Sequence, residues 1–432
     1  MSPELIGVIG VISLFTLLAL GMPISFSMGV VGTLGLAVIL GWDAALTKLA
    51  VSSFNSISSV ELAALPLFLL MAQVLFAANV SRDLYVLAAR FVGHWPGGLA
   101  MATIGGCAGF GSISSSSLAT AATMGLVALP EMKARNYSNA LATGSVAAGG
   151  TMGSMIPPSG MLIMYGVLTE QSIGKLFMAG VIPGLLQAVM YIILIWILCK
   201  WRPSMGPPGP RYSWAERWQA VRGITDLIIL TTLVMGGLIV GWFTATESGA
   251  VGALGAIALT FSRKRLTMTG LLEALQQTMR TTGMIYGVII GAFLFSYFMA
   301  VSEIPAALAG YITDLQAPPI VIIMCILAML LAMGIFLDAM AMMTLTLPVF
   351  YPIVMSLGLS PIWFGILMVR AQETALITPP MGMNIYVVSA LRKDIPLSEV
   401  FRGVLPFLAM DIPHIALLIL FPALALWLPS IL

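Results

Sequence analysis

The sequence predicts an all-α polytopic membrane protein made of two inverted-topology repeats, each with about five spans plus one re-entrant hairpin. Three observations carry this: composition, internal repetition and the placement of basic residues. Of 432 residues, 59% are hydrophobic and 8% charged, whereas a soluble domain is roughly 45–50% apolar and about 25% charged. Mean hydropathy is +1.04. A spanning helix needs about 20 apolar residues, so there is material for ten or more spans. That composition excludes a soluble enzyme, a nucleic-acid binder and a disordered scaffold.

Repetition is visible at several places. Residues 29–35 read GVVGTLG and 249–255 read GAVGALG; residues 157–163 read PPSGMLI and 379–385 read PPMGMNI. Leu129-Pro130 likewise matches Leu347-Pro348. The offsets all stay near 220 residues, the signature of a duplicated unit.

Taken in order, apolar runs stand at about 5–21, 24–41, 60–78, 98–130, 138–168 and 176–200. A polar, proline-rich stretch, WRPSMGPPGPRYSWAERWQAVR, reads as a linker. Six more runs follow at about 225–243, 246–262, 281–301, 319–353, 361–391 and 405–429. The expected organisation is a first repeat at 1–200, a cytoplasmic linker at 201–222 and a second repeat at 223–432. The runs 98–130 and 319–353 are too long for one helix and are broken at Gly109–Ser117 and Gly334–Asp338. They are expected to be re-entrant hairpins. The runs 138–168 and 361–391, interrupted by double prolines, are expected to be broken spans. Five true spans per half is an odd number, which inverts the second repeat.

Tracing the turns puts sixteen of the 19 Lys and Arg on one side, among them Arg82, Arg90, Lys133, Arg263 and Arg265. The other side keeps Lys48 and Lys175, and Arg370 is left in the membrane. By the positive-inside rule the basic side is cytoplasmic. Both termini are then periplasmic in a bacterial inner membrane. The N-terminus reads as a retained first span, without the basic region of a cleaved signal. Residues 43–58 and 266–279, of mixed polarity, are expected to be helices lying along the interface. Cys107, Cys199 and Cys325 read as small core thiols, and His94 and His414 as interfacial.

The chemistry should lie where polar groups occur at membrane depth. Unpaired backbone and hydroxyl groups cannot face lipid. Ser112, Ser114, Ser115, Ser116, Ser117 and Thr120 in the first hairpin therefore line a wet site or glue helices together. The two double-proline breaks remove backbone donors and leave upstream carbonyls for a small hard cation. The expected sodium ligands are Ser112, Ser114, Ser115, Ser116, Gly150, Thr151, Gly153, Pro157, Gly334, Asp338, Thr374, Leu376, Thr378 and Pro379. Asp338 is an acid within a span, hence a candidate ligand, or else a helix cap. The expected substrate contacts are Ser116, Ser117, Thr120, Ser159, Arg370, Glu373 and Asn384. Arg370 and Glu373, three apart on one helical face, either pair with each other or leave the guanidinium for an acidic substrate. There is no phosphate-binding loop, no zinc motif and no catalytic base near the serines. The chain is therefore expected to be no enzyme, with no cofactor or transition metal and an ion gradient as its energy source.

The stretches GGTMGSMIPPS at 149–159, LFMAGVIPG at 176–184 and TPPMGMN at 378–384 resemble the large membrane subunit of tripartite ATP-independent periplasmic (TRAP) transporters. So do ALPEM at 128–132 and FPALALWLP at 421–429. The resemblance covers essentially the whole chain. It implies a small four-helix membrane subunit and an extracytoplasmic solute-binding protein as partners. It also implies sodium coupling and an elevator motion of a transport domain against a scaffold. The resulting expectation is sodium-driven uptake of a small organic acid, a carboxylate or sulfonate. The alternatives are a stand-alone anion carrier of the same architecture and an enzyme of the membrane interior.

Overall fold

The computed structural model describes residues 2–314 and 317–431, and all regular structure among them is helical. The chain opens with α1 (Pro3–Ala19) and α2 (Ile24–Leu40). Ser2 caps α1 from the Leu5 amide, Pro3 takes its first turn, and Gly21 at positive φ releases the chain. Helix α3 (Trp42–Ser58) follows with mixed faces, then α4 (Ala64–Ala77) and α5 (Val80–Val92), which meet at a 69° bend. The bend is at Asn79, which takes the left-handed conformation. Beyond it the sequence turns amphipathic, with Arg82, Asp83 and Arg90.

The next helices form the first hairpin and the first break. Helices α6 (Gly98–Ser114) and α7 (Ser117–Ala134) pack on one another and are joined by Ser115 and Ser116 alone. Helix α8 (Asn139–Gly150) then gives way to a short 3-10 turn at Thr151–Ser154 and a cis Pro157–Pro158 bond, and α9 (Gly160–Thr169) resumes. The 29-residue α10 (Ile173–Trp201) completes this half.

The linker is less loose than its prolines suggest. Gly206 accepts from the Gly97 amide, Met205 from the Ser138 amide, and Gly209 donates to the Gly93 carbonyl, so it is fastened to the base of the hairpin. Its second part is a helix, α11 (Trp214–Gly223), started by a Ser213/Glu216 capping box and packed on α5. Lys133 at the end of α7 pairs with Asp394, whose carboxyl is held well below its usual range by Arg392 and Lys133.

Helices α12 (Thr225–Ile239) and α13 (Ala245–Ser262) follow, the second opened by a Thr244/Glu247 capping box. Helix α14 runs without interruption from Met268 to Val301, 34 residues. This corrects the expectation of a separate interfacial helix at 266–279: no Pro or positive-φ residue stands between it and the apolar run after 281, so one helix continues through both. At 1.5 Å per residue it is about 50 Å long, enough to cross and project beyond the bilayer. Then come α15 (Ile304–Asp314), α16 (Pro319–Met333) and α17 (Ala339–Ser356), the last two linked through Gly334–Asp338. Helix α18 (Pro361–Ala375) ends at the second break, which carries a cis Pro379–Pro380 bond. The chain closes with α19 (Met383–Leu391), α20 (Leu397–Leu420) and the short α21 (Ala423–Leu426).

By length and composition α10, α14, α17 and α20 could each cross a membrane alone, and the bent pairs α4–α5 and α11–α12 raise the number to six. The other apolar helices are shorter: α1, α2 and α6 have 17 residues, about 25 Å each, α16 has 15, and α9, beyond the first break, has 10. Packing joins the two halves, with α2 against α14, α4 against α13 and α8 against α20. Outward stripes such as Leu185, Val189, Ile193 and Trp196 on α10 are exposed and apolar, as a lipid-facing surface requires. Cys107 and Cys199 are buried; Cys325, expected in the core, is exposed on α16.

Candidate functional site

The tip of the first hairpin is built against the first break. Ser115 adopts the left-handed conformation and donates from Oγ to the Pro158 carbonyl at 2.9 Å. Ser116, in extended conformation, caps α7. Ser114 and Thr120 close the turn, their hydroxyls 2.5 Å apart, and Thr120 also donates to the Ser116 carbonyl. Ser117, the first residue of α7, lies 3.0 Å from the Ser154 hydroxyl and donates to a Glu373 carboxylate oxygen. Gly153 admits this approach: a Cβ there would lie 2.6 Å from the Ser116 carbonyl oxygen and 2.5 Å from the Thr120 hydroxyl. Ser112 stands apart, its hydroxyl spent on the Gly109 carbonyl of its own helix.

Break 1 also receives the other half of the chain. Gly150 lies against Ala121 and Asn384, and Asn384 Nδ2 donates to the Ala147 carbonyl at 3.1 Å. Asn384 in turn donates its backbone N–H to the Leu376 carbonyl in break 2. Thr151 turns the other way, accepting from Gln187 Nε2 on α10 at 2.9 Å. Ser159 caps α9 and donates to the Ser154 carbonyl. Pro157 is buried between them.

The second hairpin meets the second break at Gly334, where a Cβ would lie 2.2 Å from the Ala375 methyl. Asp338 caps α17, accepting from the Ala341 amide at 2.6 Å, so its side chain serves as a cap. Thr374 and Thr378 donate to the carbonyls four residues back, Arg370 and Thr374. Pro379 carries the cis bond to Pro380.

Between the two hairpin tips lies a cleft of about 190 Å³ lined by Ser115, Ser116, Ser117, Ser154, Asp338 and Glu373, by Thr281 and Met284 of α14, and by a larger apolar wall that includes Phe68, Met161 and Leu376. The starts of three helices, α7, α9 and α17, face it through Ser117, Gly160 and Ala339. Helix N-termini favour anions. Its two lining charges, by contrast, are both carboxylates, and no Lys or Arg lines it.

Arg370 is not in this cleft, and it does not pair with Glu373. Its guanidinium is fully buried, bonded to Asp411 and, through Nε, to His414 Nδ1 at 2.8 Å. Tyr191 donates to the same Asp411 at 2.5 Å, and His414 Nε2 is 3.1 Å from the Pro183 carbonyl. The expected substrate role of Arg370 is therefore withdrawn: an acid on α20 reaches it first. His414, expected at the interface, is 1% exposed and belongs to this network. Asp411 and His414 carried a readable signal, an acid and a histidine three apart in an otherwise apolar run. Ser154 gave less, being one small residue in a glycine-rich break.

The family model described as "Tripartite ATP-independent periplasmic transporter, DctM component" matches residues 11–424. The C4-dicarboxylate TRAP transporter large permease protein of Pseudomonas aeruginosa is 34% identical, over 94% of each chain. The sialic acid TRAP transporter large permease protein of Vibrio cholerae is 32% identical over 96% of each. Among solved structures, the Alcanivorax borkumensis YdaH transporter is similar with a TM-score of 0.63 at 16% identity, covering 89% of both chains. The chain is thus a multi-pass membrane protein, and it belongs to the DctM family of large permease subunits of tripartite ATP-independent periplasmic transporters.

Proposed function

We propose that this chain is the translocating subunit of a sodium-coupled importer that carries a small organic acid, a carboxylate or sulfonate, across the bacterial inner membrane. The observation that carries the reading is the cleft between the two hairpin tips, where serine hydroxyls and the positive ends of three helices converge. Three helix starts can hold an acidic head group without a basic side chain. The volume, about 190 Å³, is below the roughly 300–1,000 Å³ of drug-sized sites and suits a small acid. The relatives named for C4-dicarboxylate and for sialic acid both carry carboxylic acids.

Carbonyls freed at the two double-proline breaks, with Ser114, Ser116 and Asp338 nearby, are the sodium ligands of this proposal. The membrane potential supplies about 2.3 kcal/mol per net charge per 100 mV, so two sodium ions with a monoanion would be driven inward. The hairpins and breaks, bonded to each other across the halves, are the moving body in an elevator motion. A solute-binding protein delivers the acid from the periplasm, and a small four-helix subunit packs beside the scaffold.

The test is reconstitution in liposomes with both partners, scoring uptake of labelled C4-dicarboxylates, sialic acid and sulfonates. Uptake of one acid that stops when the binding protein is left out supports the proposal. Uptake that continues without it identifies a stand-alone carrier.

A further inference from the structure

A second polar cavity lies at the end of the first hairpin remote from its tip. It measures about 200 Å³ and sits between α5, the two ends of the hairpin and the linker, lined by Arg82, Tyr85, Arg90, Glu131, Arg135 and Tyr212. This is the basic side of the chain, cytoplasmic by the positive-inside rule.

Three guanidinium groups thus share the cavity with one carboxylate, and the acids around it are committed elsewhere. Asp83 pairs with Arg265. The Glu216 carboxylate accepts from Ser213, so Glu216 offers Arg90 only its carbonyl, at 2.7 Å. Glu131 stands four residues before Arg135 on α7 and does not pair with it. Among the described residues the side chains of Arg82 and Arg135 make neither an ion pair nor a hydrogen bond. Tyr85 is an independent sign of a ligand. It is 3% exposed, and its hydroxyl is buried with no hydrogen-bond partner. A buried donor without an acceptor is costly.

Several guanidinium groups with a hydroxyl donor are phosphate chemistry, since the planar fork of arginine bonds two oxygens of a tetrahedral anion at once. Two features of the surroundings favour a lipid head group over a soluble phosphate. Val86, Ala89 and Val127 give the cavity an apolar wall. Helix α11, packed on α5 beside it, exposes Trp214 and Trp218, the aromatic pattern of a membrane–water boundary. The volume, below the roughly 300–1,000 Å³ of drug-sized sites, suits a single head-group phosphate.

We infer that Arg82, Arg90 and Arg135, with the Tyr85 hydroxyl, form a phosphate pocket that holds the head group of an anionic lipid of the cytoplasmic leaflet. Basic pockets between helices on that side of a membrane take such head groups. The bound phosphate ties α5 to the end of α7 and so braces the base of the hairpin whose tip lines the cleft.

The experiment uses the complete complex with its small subunit, stripped of lipid in detergent. It compares wild type with the double variant Arg82→Gln/Arg135→Gln, with Tyr85→Phe and, outside the cavity, with Arg222→Gln. Melting temperature is followed against added phosphatidylglycerol, phosphatidylcholine, glycerol 3-phosphate and inorganic phosphate, and native mass spectrometry counts retained lipid. Wild type should retain phosphatidylglycerol and be stabilised by it, with little response to phosphatidylcholine or to either soluble phosphate. Half-saturation by phosphatidylglycerol should rise about fivefold for each arginine removed, equivalent to about 1 kcal/mol each. Tyr85→Phe should melt unchanged without lipid, because its hydroxyl has no partner, yet bind the lipid several-fold more weakly. Arg222→Gln should match wild type. Should the double variant not fold, Tyr85→Phe carries the test. Equal stabilisation by inorganic phosphate or glycerol 3-phosphate would overturn the lipid assignment in favour of a soluble anion. A wild-type lipid titration in the double variant and in Tyr85→Phe, or an equal loss in Arg222→Gln, would overturn the pocket itself.

Discussion

The two hairpin tips are built on different principles. The first is a web of hydroxyls: Ser115 on the Pro158 carbonyl, Ser117 on Ser154 and Glu373, Ser114 on Thr120, all closed over Gly153. Among the described residues the second has one side-chain anchor, the Asp338 cap, and it meets its break through the contact of Gly334 with Ala375. Its neighbour Phe336 is 75% exposed. A tip held by many buried polar contacts is rigid, and one held by a cap and small-residue packing opens more easily. The difference predicts a more rigid first tip and an easier release of the second.

The largest effect expected is from Gly153→Val. Branched carbons there would overlap the Ser116 carbonyl and the Thr120 hydroxyl, forcing the first tip off its break. Uptake in liposomes should fall below about a tenth, and Gly334→Ala should also reduce it, since its Cβ would lie 2.2 Å from the Ala375 methyl and 2.8 Å from Met342 Cε.

Next is Arg370→Ala, which leaves Asp411 buried and unpaired, at a cost of about 3–5 kcal/mol. The thermal transition of the purified complex should drop sharply. Replacing both members by apolar residues, Arg370→Met with Asp411→Leu, should recover most of the loss. Recovery with retained uptake would confirm that this pair braces α18 and α20 rather than touching substrate.

Asp338→Asn keeps a capping side chain and removes the charge, so stability should change by less than about 1 kcal/mol. Half-saturation for sodium should nonetheless rise, as read in an uptake titration. The smallest effect belongs to Phe336→Ala, exposed at the second tip; it should alter the rate of uptake less than twofold, with no change in melting temperature.

Much of this arrangement was readable in the residues, and the gaps have physical causes. The PPSG and PPMG repeats mark the breaks because proline disrupts a helix whatever surrounds it. The serine run marks the first tip because hydroxyls in such number cannot face lipid. The continuity of α14 was hidden, since the polarity change near Thr281 falls within one uninterrupted helix, not at its end. The partner of Arg370 was hidden for another reason. Sequence neighbours such as Glu373 are visible by spacing, whereas Asp411, 41 residues away, meets it only through the packing of α18 on α20.

The most direct measurement of the central claim is uptake by the complete reconstituted complex under an imposed inward sodium gradient, with pH equal on both sides. Labelled acid should accumulate above its external concentration, accelerate with an inside-negative potential, and stop when choline replaces sodium. Accumulation that is unchanged in choline, or that follows only a proton gradient, would contradict the account.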